Sequence, residues 1–396
     1  MAIDRLEATV IGGGIAGLAT AVALSQAGWR VTILERAPAF GEVGAGLGLT
    51  ANGMTALSAL GLDQAVRAVG CETVSAGFQD LDGRWLIRVP EVKPELRAIT
   101  TVWGLHRQRL HGVLRAAAAA ADGVDLVTDA QVLRVTAGNP GREAAAVTWR
   151  SAGTEQTAEA ALVVAADGVR SAVRAQLFPD AQPVYSGSTS WRAVISDSVS
   201  DAPLVEAWGP GTEFGAMRVS DSEMYWYGYF RHPADAVFAD ELAAAQEHFA
   251  TWAPWVRAFV SSTSSEQLMR HDVYHLRPGP PAYARGRVVF VGDAAHAALP
   301  TSGQGAASAL EDAVCVGRMI ADPVRTGADL GDALDAFDRA RRPRCRQIAR
   351  TGEMIARLGA DVGGGWRQTA RNSLLRLLPV RPFLRVGSSV VRWTPP

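Results

Sequence analysis

The stretch LEATVIGGGIAGL, residues 6–18, constrains the fold of this 396-residue chain more than any other. An apolar run that predicts a buried strand meets the pattern Gly12-x-Gly14-x-x-Gly17, and a helix-like segment follows at once. Residues 31–34 then predict a second strand with Glu35 at its end. In such a unit the helix N-terminus offers unpaired N–H groups to a diphosphate, and the acid can accept hydrogen bonds from a ribose. The stretch therefore predicts a dinucleotide site, without naming the dinucleotide.

Each glycine of this fingerprint has its own physical role. Gly12 permits the tight turn, Gly14 lets the backbone approach a pyrophosphate, and Gly17 lets helix and strand pack closely. The alternative is a glycine-rich turn in some other α/β protein. The agreement of strand, helix, second strand and terminal acid favours the dinucleotide site.

Composition narrows the class of protein. A length of 396 residues suggests about two domains. A net charge of −1, with 20% charged and 48% hydrophobic residues, is typical of a globular protein and disfavours a nucleic-acid partner. Cys71, Cys315 and Cys345 are odd in number and widely spaced, which argues against a disulfide framework or a zinc site. No histidine spacing suits a metal, so none is expected. Without room for a signal peptide before the first strand, and with no apolar run long enough for a membrane span, we expect a cytoplasmic enzyme.

The predicted secondary structure changes at two points in the rest of the chain. Short aromatic strands dominate residues 184–275 and predict a separate antiparallel sheet, with a helical interruption at residues 242–260. Residues 287–293 return to a buried parallel-type strand, and helices are predicted at residues 305–320 and 329–351. A further helix is predicted from residue 105 to residue 121.

Three motifs lie far from the fingerprint. They are Asp167-Gly168 within AADGVRSAVR, Gly292-Asp293 followed by Pro300 and Gly303-Gln304-Gly305-Ala306, and Arg107-x-x-Leu110. With the fingerprint, they resemble the group A (single-component) flavin-dependent monooxygenases of the p-hydroxybenzoate hydroxylase fold, from residue 8 to about residue 350. The nearest described subgroup is the FAD-dependent urate and aromatic hydroxylases.

The resemblance implies a bound FAD, a transient NAD(P)H and O₂ as co-substrate. It implies hydroxylation or epoxidation of an aromatic small molecule through a flavin C4a-hydroperoxide. Asp293 is expected at the ribityl chain, Arg107 on the pyrophosphate side, and the helix after Gly303 at the isoalloxazine. Asp167 is expected to touch FAD and the nicotinamide donor, or else only to form a turn. The full set of implied cofactor contacts is Gly12, Gly14, Ile15, Ala16, Gly17, Glu35, Arg36, Gly46, Arg107, Val132, Asp167, Asp293, Gly303, Gln304, Gly305, Ala306 and Ala307.

The implied fold class is α/β. A Rossmann-like FAD-binding domain (GR2 type) carries an inserted antiparallel-sheet substrate domain and a C-terminal helical segment. The expected boundaries are residues 1–72, 97–180 and 281–330 for the FAD-binding domain, 73–96 and 181–280 for the substrate domain, and 331–396 for the helical segment. No second fingerprint is present for NAD(P)H.

The substrate pocket is expected between the loop containing Pro300 and the aromatic sheet. Tyr225 and Tyr227 share a strand face, and a turn at residues 220–223 would bring Glu213 to the same cavity. Aligned with the urate hydroxylases, Tyr225 takes the position of their substrate tyrosine and Glu213 that of their substrate arginine. Glu213 would repel an anion and favours a neutral or N–H-bearing ring, such as an indole or a phenolic natural-product intermediate. Arg192 is the alternative anchor and would favour a salicylate-like aromatic carboxylate.

The motifs do not exclude a function without oxygen transfer, because the same scaffold also serves FAD-dependent dehydrogenases and reductases. His296 is interpreted as loop architecture rather than as an acid or base. Residues 366–396 carry six arginines and no acid. A helix that packs its leucines on the body and leaves its arginines in solvent is favoured there over a peripheral membrane contact. A monomer or homodimer is expected.

Overall fold

The structure is a computed structural model, and it describes residues 6–41, 44–89, 97, 99–196 and 203–396. Residues 42–43, inside the second glycine-rich stretch, lie outside the described residues. So do residues 90–96, at the end of the predicted 73–96 segment. The proposed domain boundaries remain a prediction.

The strands are described first, in chain order. They are β1 (Glu7–Ile11), β2 (Arg30–Leu34), β3 (Gly46–Leu49), β4 (Gly70–Asp80), β5 (Trp85–Arg88), β6 (Thr101–His106), β7 (Val124–Val127), β8 (Gln131–Thr136), β9 (Ala145–Ser151), β10 (Thr154–Ala160), β11 (Leu162–Ala165), β12 (Val184–Ser196), β13 (Leu204–Gly209), β14 (Thr212–Ser220), β15 (Glu223–Arg231), β16 (Met269–His275), β17 (Ala284–Arg285) and β18 (Val288–Phe290).

The helices fill the spaces between the strands. They are α1 (Ile15–Gln26), α2 (Ala51–Ala59), α3 (Asp63–Arg67), α4 (Arg107–Ala120), α5 (Ala172–Leu177), α6 (Glu241–His248), α7 (Pro254–Ser261), α8 (Asp293–His296), α9 (Gly305–Cys315), α10 (Asp322–Arg325), α11 (Leu330–Leu358), α12 (Trp366–Leu377) and α13 (Val380–Val391). A 3₁₀ turn spans Pro300–Ser302 and a π-helical turn spans Val316–Ala321. Among the described residues, no helix is both long and apolar enough to cross a membrane.

A six-stranded sheet in the order β17-β18-β11-β1-β2-β7 forms the centre of the dinucleotide-binding half. β18, β11, β1, β2 and β7 run parallel, and only the short β17 is antiparallel to its neighbour. β11 and β18 are buried throughout, as expected for strands covered on both faces. α1 is buried on nearly all sides, which its alanine- and leucine-rich sequence permits. The Rossmann-like fold class is therefore confirmed.

A nine-stranded sheet forms the second half, with the order β16-β12-β15-β14-β13-β4-β6-β3 and β5 paired to β4. The purely antiparallel sheet expected from the sequence is wrong in one place, because β13 runs parallel to β4. β13 and β14 form a hairpin, whereas β4 arrives from far earlier in the chain. Two sheet edges that no hairpin connects can pair in either direction.

The two faces of this sheet have different surroundings. One face carries Trp191, Phe214 and Trp226 and is covered by α6 and α7, with Phe249 packed among them. The opposite face carries alternate residues of the same strands, including Tyr225, which packs against β3. On that same face Tyr229 packs with Leu299, in the loop that precedes α9. One face of the aromatic strands is therefore covered by helices, and the other meets this loop.

Several local predictions differ from the structure. Leu105 and His106 end strand β6, so the helix begins only at Arg107. The helical interruption at residues 242–260 is two helices, and Pro254 starts the second because proline suits a first helical turn. The helix predicted at residues 305–320 is α-helical only to Cys315. β3 and β13 were not predicted from the sequence.

The C-terminal segment is helical, as expected, and the expected orientation holds for part of it, because Leu375 and Leu384 are buried and Arg367 and Arg392 are exposed. The favoured interpretation placed the leucines of residues 366–396 on the body and the arginines in solvent. In α12, Arg371 is buried, whereas Leu374 and Leu377 are exposed. The polar residues of this helix find partners on the body, which decides which face turns inward.

Candidate functional site

The glycine fingerprint forms a tight cradle at the carboxyl end of β1. Gly12 has a φ of +105°, and a Cβ on it would lie 2.4 Å from the carbonyl oxygen of Ala166. A Cβ on Gly17 would lie 1.9 Å from the carbonyl oxygen of Gly12. Gly14 precedes α1, whose first turn has no side-chain cap and no acidic residue. The first N–H groups of α1, including those of Ile15 and Ala16, thus have no partner within the helix.

Glu35 is held at the rim of this cradle by two backbone donors. Its Oε2 accepts from the N–H of Gly13 at 2.8 Å, and its Oε1 accepts from the N–H of Ala37 at 2.8 Å. Each oxygen keeps a second lone pair for a ribose hydroxyl. Arg36 is exposed beside it. Val132 lies in β8, shortly after Ala130, whose N–H donates to the carbonyl of Glu35.

His111 is a part of the cradle that the sequence did not indicate. It is buried in α4, and its Nε2 lies 2.8 Å from the carbonyl oxygen of Gly13. Since the carbonyl accepts, the Nε2 must carry the proton. This bond fixes the orientation of the peptide in the middle of the fingerprint. No spacing in the sequence could have linked residues 98 positions apart.

The Gly292-Asp293 motif meets the start of α1. Gly292 has a φ of +56°, and a Cβ on it would lie 2.7 Å from the Cβ of Ala16. Asp293 follows as the first residue of α8 and is exposed. The glycine fingerprint and the Gly292-Asp293 motif, which are far apart in the chain, are therefore in contact in the fold. The carboxylate oxygens of Asp293 face solvent beside this contact and can accept hydrogen bonds.

The loop before α9 exposes backbone rather than side chains. Gly303 has a φ of +62°, and nothing lies within 4 Å of a Cβ placed on Gly303 or Gly305. The Gln304 side chain turns inward, accepting from Asn52 Nδ2 at 2.9 Å and donating to Thr50 Oγ1 at 2.9 Å. The open N-terminus of α9, at Gly305, Ala306 and Ala307, is thus free of side-chain capping and suits a partly negative ring.

A buried ionic network supports this loop from below. The Arg341 Nε donates to Asp312 Oδ1 at 2.7 Å, and its Nη1 donates to Glu311 Oε2 at 2.6 Å. Glu311 Oε1 also accepts from Arg344 Nη2 and from Asn52 Nδ2, both at 2.7 Å. Because Asn52 also bonds Gln304, the network ties the loop to α2 and α11. Removing one partner would leave a buried charge uncompensated.

His296 belongs to the same network. Its Nε2 lies 2.6 Å from Asp312 Oδ2, which also accepts from the N–H of Gly292 at 2.8 Å. Burial disfavours the imidazolium, but the neighbouring Cys345 and Asp312 outweigh burial and raise the pKa of His296 well above its usual value. Burial likewise opposes ionisation of Asp312, yet His296 and Arg341 lower its pKa to about 2. Its place in an ion pair supports the interpretation of His296 as loop architecture.

The side chains of His296, Asp312 and Cys345 are also the one group in the described part of the chain with potential metal-ligand spacing. The guanidinium of Arg341 already contacts two of them, at 2.7 Å from Asp312 and 3.6 Å from Cys345 Sγ. A cation at this position would meet the charge of Arg341. The cluster therefore suits an ion-pair network better than a metal site.

Three further predicted cofactor residues lie near the cradle. Asp167 Oδ2 accepts from the N–H of Val173 at 3.1 Å, in the first turn of α5, whose N-cap is Ser171. The Oδ1 of Asp167 is buried without a hydrogen bond. Burial, partly offset by Ser171 and by backbone donors, raises the pKa of Asp167. The N–H of Arg107 donates to the carbonyl of Ala45, and Gly46 leaves room for the Tyr225 ring, which a Cβ would meet at 2.2 Å. Their contacts with a cofactor remain predictions.

The sheet face that is predicted to line the substrate pocket combines an apolar wall with charged groups. Tyr225 packs with Met217, Val102 and Ala45. Burial raises the pKa of Tyr225, and the charges of Arg192 and Arg107 counteract this shift. Both arginines therefore lie close enough to act on the phenol. Arg192 is partly exposed, and its Nε donates to Ser190 Oγ at 3.1 Å.

A second carboxylate, which the sequence did not suggest, stands beside Glu213. The Tyr227 hydroxyl lies 2.5 Å from Glu206 Oε1 and 3.1 Å from Glu213 Oε1. Glu213 is only 2% exposed, whereas Glu206 and Tyr227 are partly exposed. The hairpin at residues 220–223 places Glu213 on the same sheet face as the tyrosines, and Glu206 is the more accessible acid. That these groups line a substrate pocket remains a prediction. Pro300 is exposed at the start of the 3₁₀ turn.

One hydroxyl proton cannot serve two carboxylates. Burial, and then the charge of Glu206, raise the pKa of Glu213 well above its usual value, and burial also raises the pKa of Glu206. With Glu213 protonated, its O–H donates to the Tyr227 oxygen, and Tyr227 donates to Glu206. Glu213 Oε2 and the indole Nε1 of Trp208, which lies opposite in the strand register, are both buried without a well-aligned hydrogen bond. The indole N–H still acts on Glu213 and partly offsets the rise of its pKa. We name Glu206, Tyr227 and Glu213 the carboxyl cluster.

Comparison with known proteins gives an independent view of this geometry. The model of the FAD binding domain family matches residues 5–351. The aurachin C monooxygenase/isomerase of Stigmatella aurantiaca is 34% identical over 358 residues, which is 89% of this chain and 90% of the relative. The 2-heptyl-3-hydroxy-4(1H)-quinolone synthase of Pseudomonas aeruginosa (strain UCBPP-PA14) is 33% identical over 377 residues, or 93% of each chain.

Solved structures show the same fold. HpxO of Klebsiella pneumoniae, in complex with FAD and uric acid, superposes with a TM-score of 0.84 and 23% identity, over 97% of this chain and 96% of that one. The cradle at Gly12–Gly17, the oriented Glu35, the exposed Asp293 and the open α9 terminus are groups that suit the ribose, diphosphate and ring of a flavin dinucleotide.

Proposed function

The chain belongs to the FAD binding domain family and is an FAD-dependent monooxygenase, and on that premise we propose that its substrate is a neutral fused aromatic ring carrying an N–H group. Bound FAD supplies the oxygen-transfer chemistry, with NAD(P)H as reductant and O₂ as co-substrate. The part of the protein is to bind and orient the substrate and to exclude water.

The observation that carries the proposal is the carboxyl cluster facing Arg192 across paired strands. Arg192 and Tyr227 are partners in the register of β12 and β15. The partly exposed Glu206 is a hydrogen-bond acceptor, and the guanidinium of Arg192 is a donor. A ring with an N–H on one side and a carbonyl on the other would satisfy both groups without carrying a charge of its own.

The names of the relatives suggest what such a ring is. One relative is named for a 4(1H)-quinolone, which has a ring N–H and a ring carbonyl. We place the N–H of a comparable ring at Glu206 and its carbonyl at Arg192, with the ring against the apolar wall of Tyr225 and Met217. Within this class, the indoles suggested by the sequence satisfy the donor requirement and lack only the carbonyl.

The protonation state of the carboxyl cluster limits the charge that the substrate can carry. Because burial and the charge of Glu206 raise the pKa of Glu213 well above its usual value, protonation of Glu213 is favoured, and the cluster then offers one negative charge rather than two. That charge is sufficient to accept an N–H bond and repels an aromatic carboxylate. A hydrogen bond from a neutral donor to a charged acceptor contributes about 1.5–3 kcal/mol.

Arg192 gives the competing substrate class a physical basis. A salicylate-like carboxylate would pair with Arg192, and the nearby positive charge of Arg107 would add to that attraction. Such an acid would have to avoid Glu206.

We also place the enzyme in a reducing, cytoplasmic compartment, in line with its free cysteines Cys71, Cys315 and Cys345.

The test compares ligands and matched variants. NAD(P)H oxidation by the FAD-loaded protein should be stimulated by 4(1H)-quinolones more than by salicylates. The Glu206→Gln change should raise the KM for a quinolone about tenfold or more, because an amide replaces the charged acceptor. The Glu155→Gln change, on the exposed edge of β10, is the control and should have no effect. Stimulation by aromatic acids alone, lost in Arg192→Gln, would refute the proposal in favour of the carboxylate class.

A further inference from the structure

Part of the exposed surface of α12 is apolar and lies beside the exposed polar residues Arg367, Thr369, Ser373 and Arg376. Trp366 is 76% exposed and Leu377 is 83% exposed. Leu374, and Leu378 just after the end of the helix, are each more than half exposed. At about 100° per residue, Trp366, Ala370, Leu374 and Leu377 fall within one stripe about 80° wide. All four are exposed. We call these four residues the apolar stripe.

The inward face of the same helix is largely polar. Arg371 is 7% exposed, its Nη1 donates to the carbonyls of Leu358 and Gly359, and its guanidinium lies 5.5 Å from the ring centroid of Trp208. Arg376 pairs with Asp80. Of the leucines in α12, only Leu375 joins the core cluster of Phe78 and Trp208. These bonds fix the rotation of the helix, so the apolar stripe is held in solvent by the fold itself.

This arrangement is costly for a helix that only closes the fold. Burial lowers the pKa of Arg371 to about 10, partly offset by Asp80, so the arginine is held in a place that disfavours its charge. A rotation that buried the leucines and exposed Arg371 would be favoured by hydrophobicity alone. Exposed apolar surface with a charged rim marks an interaction site.

The charge around the stripe identifies the kind of partner. Arg367 is exposed and lies about 20° beyond Leu374 on the helix, at one edge of the stripe. Residues 366–396 carry six arginines and no acidic residue. A second copy of this chain would bring two such segments together without an acid to pair them. An anionic lipid surface offers both the apolar interior for tryptophan and leucine and the negative charge for arginine.

We propose that α12 docks the protein on an anionic membrane surface, with the apolar stripe of Trp366, Ala370, Leu374 and Leu377 in the lipid interface. The helix lies on the membrane and does not span it. The proposal is independent of the substrate class, because the stripe, the buried Arg371 and the acid-free tail do not belong to the catalytic pocket.

The test uses FAD-loaded full-length protein and two kinds of vesicle. Co-sedimentation is measured with pure phosphatidylcholine and with an equal mixture of phosphatidylcholine and phosphatidylglycerol. The protein should sediment with the anionic vesicles, less so at high salt. Leu374→Ser combined with Leu377→Ser should lower the partition coefficient about tenfold or more. Arg367→Gln should lower it about fivefold, and only on anionic vesicles.

Val237→Ser is the matched control, since Val237 is 76% exposed and lies before α6, far from α12 in sequence. It should leave vesicle binding unchanged, and all variants should retain FAD and NAD(P)H oxidation. Wild-type protein that stays in the supernatant with anionic vesicles would overturn the proposal. So would a dimer in light scattering that the double leucine variant dissociates, because a second copy would then cover the stripe.

Discussion

Tyr227 carries one hydroxyl proton between two carboxyl groups, and this determines how the carboxyl cluster titrates. Its oxygen lies 2.5 Å from Glu206 and 3.1 Å from Glu213. A network that shares protons in this way titrates as a unit rather than as separate acids. The stability of the fold therefore depends on the protonation of the cluster.

Glu213→Gln should make the thermal stability of the fold less sensitive to a rise in pH from about pH 5 to about pH 8. In the fold, burial and then Glu206 raise the pKa of Glu213, so the protonated form is favoured. Its contribution is complete below the unfolded pKa and is lost as pH rises through the raised folded pKa. Glutamine is always neutral, so the melting temperature of the variant should fall less than that of the wild type from about pH 5 to about pH 8. An equal loss at every pH would show that Glu213 is ionised in the fold.

Glu35→Gln should weaken FAD binding about tenfold, because a neutral amide replaces a charged acceptor of ribose hydroxyls. The measurement is the recovery of flavin fluorescence on dilution of the holoenzyme. Glu7→Gln, at the start of β1, is the control. If Glu35→Gln instead raised only the KM for NAD(P)H, the ribose at Glu35 would belong to the nicotinamide donor.

At the residue scale, the sequence predicted what lies within one local pattern. The fingerprint glycines and Glu35 are close together in the chain, and their spacing alone indicates their roles. Glu206, His111 and Asn52 acquire theirs only through partners 21, 98 and 252 residues away. No local spacing could indicate those contacts.

At the scale of elements, the contact between β1 and α1 is the tightest part of the cradle. A Cβ on Gly17 would lie 1.9 Å from the carbonyl oxygen of Gly12, so Gly17→Ala must force helix and strand apart. We expect a lower melting temperature and loss of bound FAD, measured by thermal melting and by the flavin-to-protein absorbance ratio.

Gly112→Ala provides the control within another helix, α4, where nothing lies within 4 Å of the added Cβ. It should stabilise the protein by about 0.5–1 kcal/mol, because alanine suits a helix interior better than glycine. Equal behaviour of the two variants would contradict the close helix–strand packing.

Asp312→Asn should destabilise the fold by about 3–5 kcal/mol, because it leaves Arg341 and His296 with a buried excess of positive charge. Asp312 has its pKa lowered to about 2, so its contribution is present above the unfolded pKa and is lost as pH falls through about 2. Chemical denaturation at neutral and acidic pH measures both effects. Asp335→Asn, on the exposed side of α11, is the control. A similar loss of unfolding free energy in that variant would show that the effect does not come from the buried ionic network.

Element prediction failed where strands were short or unusual in composition. β3 is the sequence GLGL, whose two glycines look like a loop. β13 holds Glu206 and is only six residues long. β3 pairs with β6, and β13 pairs with the distant β4 as well as with its hairpin partner β14. The pairing of β13 with β4 could not be predicted from local sequence, and that is why the aromatic sheet was expected to be purely antiparallel.

At the scale of the whole molecule, four motifs in the correct order were enough to predict the Rossmann-like fold and its FAD. They could not show how the halves meet. The position of the loop before α9 and the exposure of the apolar stripe of α12 both arise from packing between segments far apart in the chain. The burial of Arg371 and the exposure of Leu374 and Leu377 were not predicted, because the partners of Arg371 and Arg376 lie on other elements.

Oxygen transfer to a neutral N–H aromatic is the central claim, and labelled O₂ tests it most directly. FAD-loaded protein is incubated with NAD(P)H, isotopically labelled O₂ and a 4(1H)-quinolone, and the product is analysed by mass spectrometry. We predict one labelled oxygen atom in the product and NAD(P)H oxidation that the quinolone stimulates. Stimulated oxidation without label in the quinolone, or label only in an aromatic carboxylate offered in its place, would contradict the account.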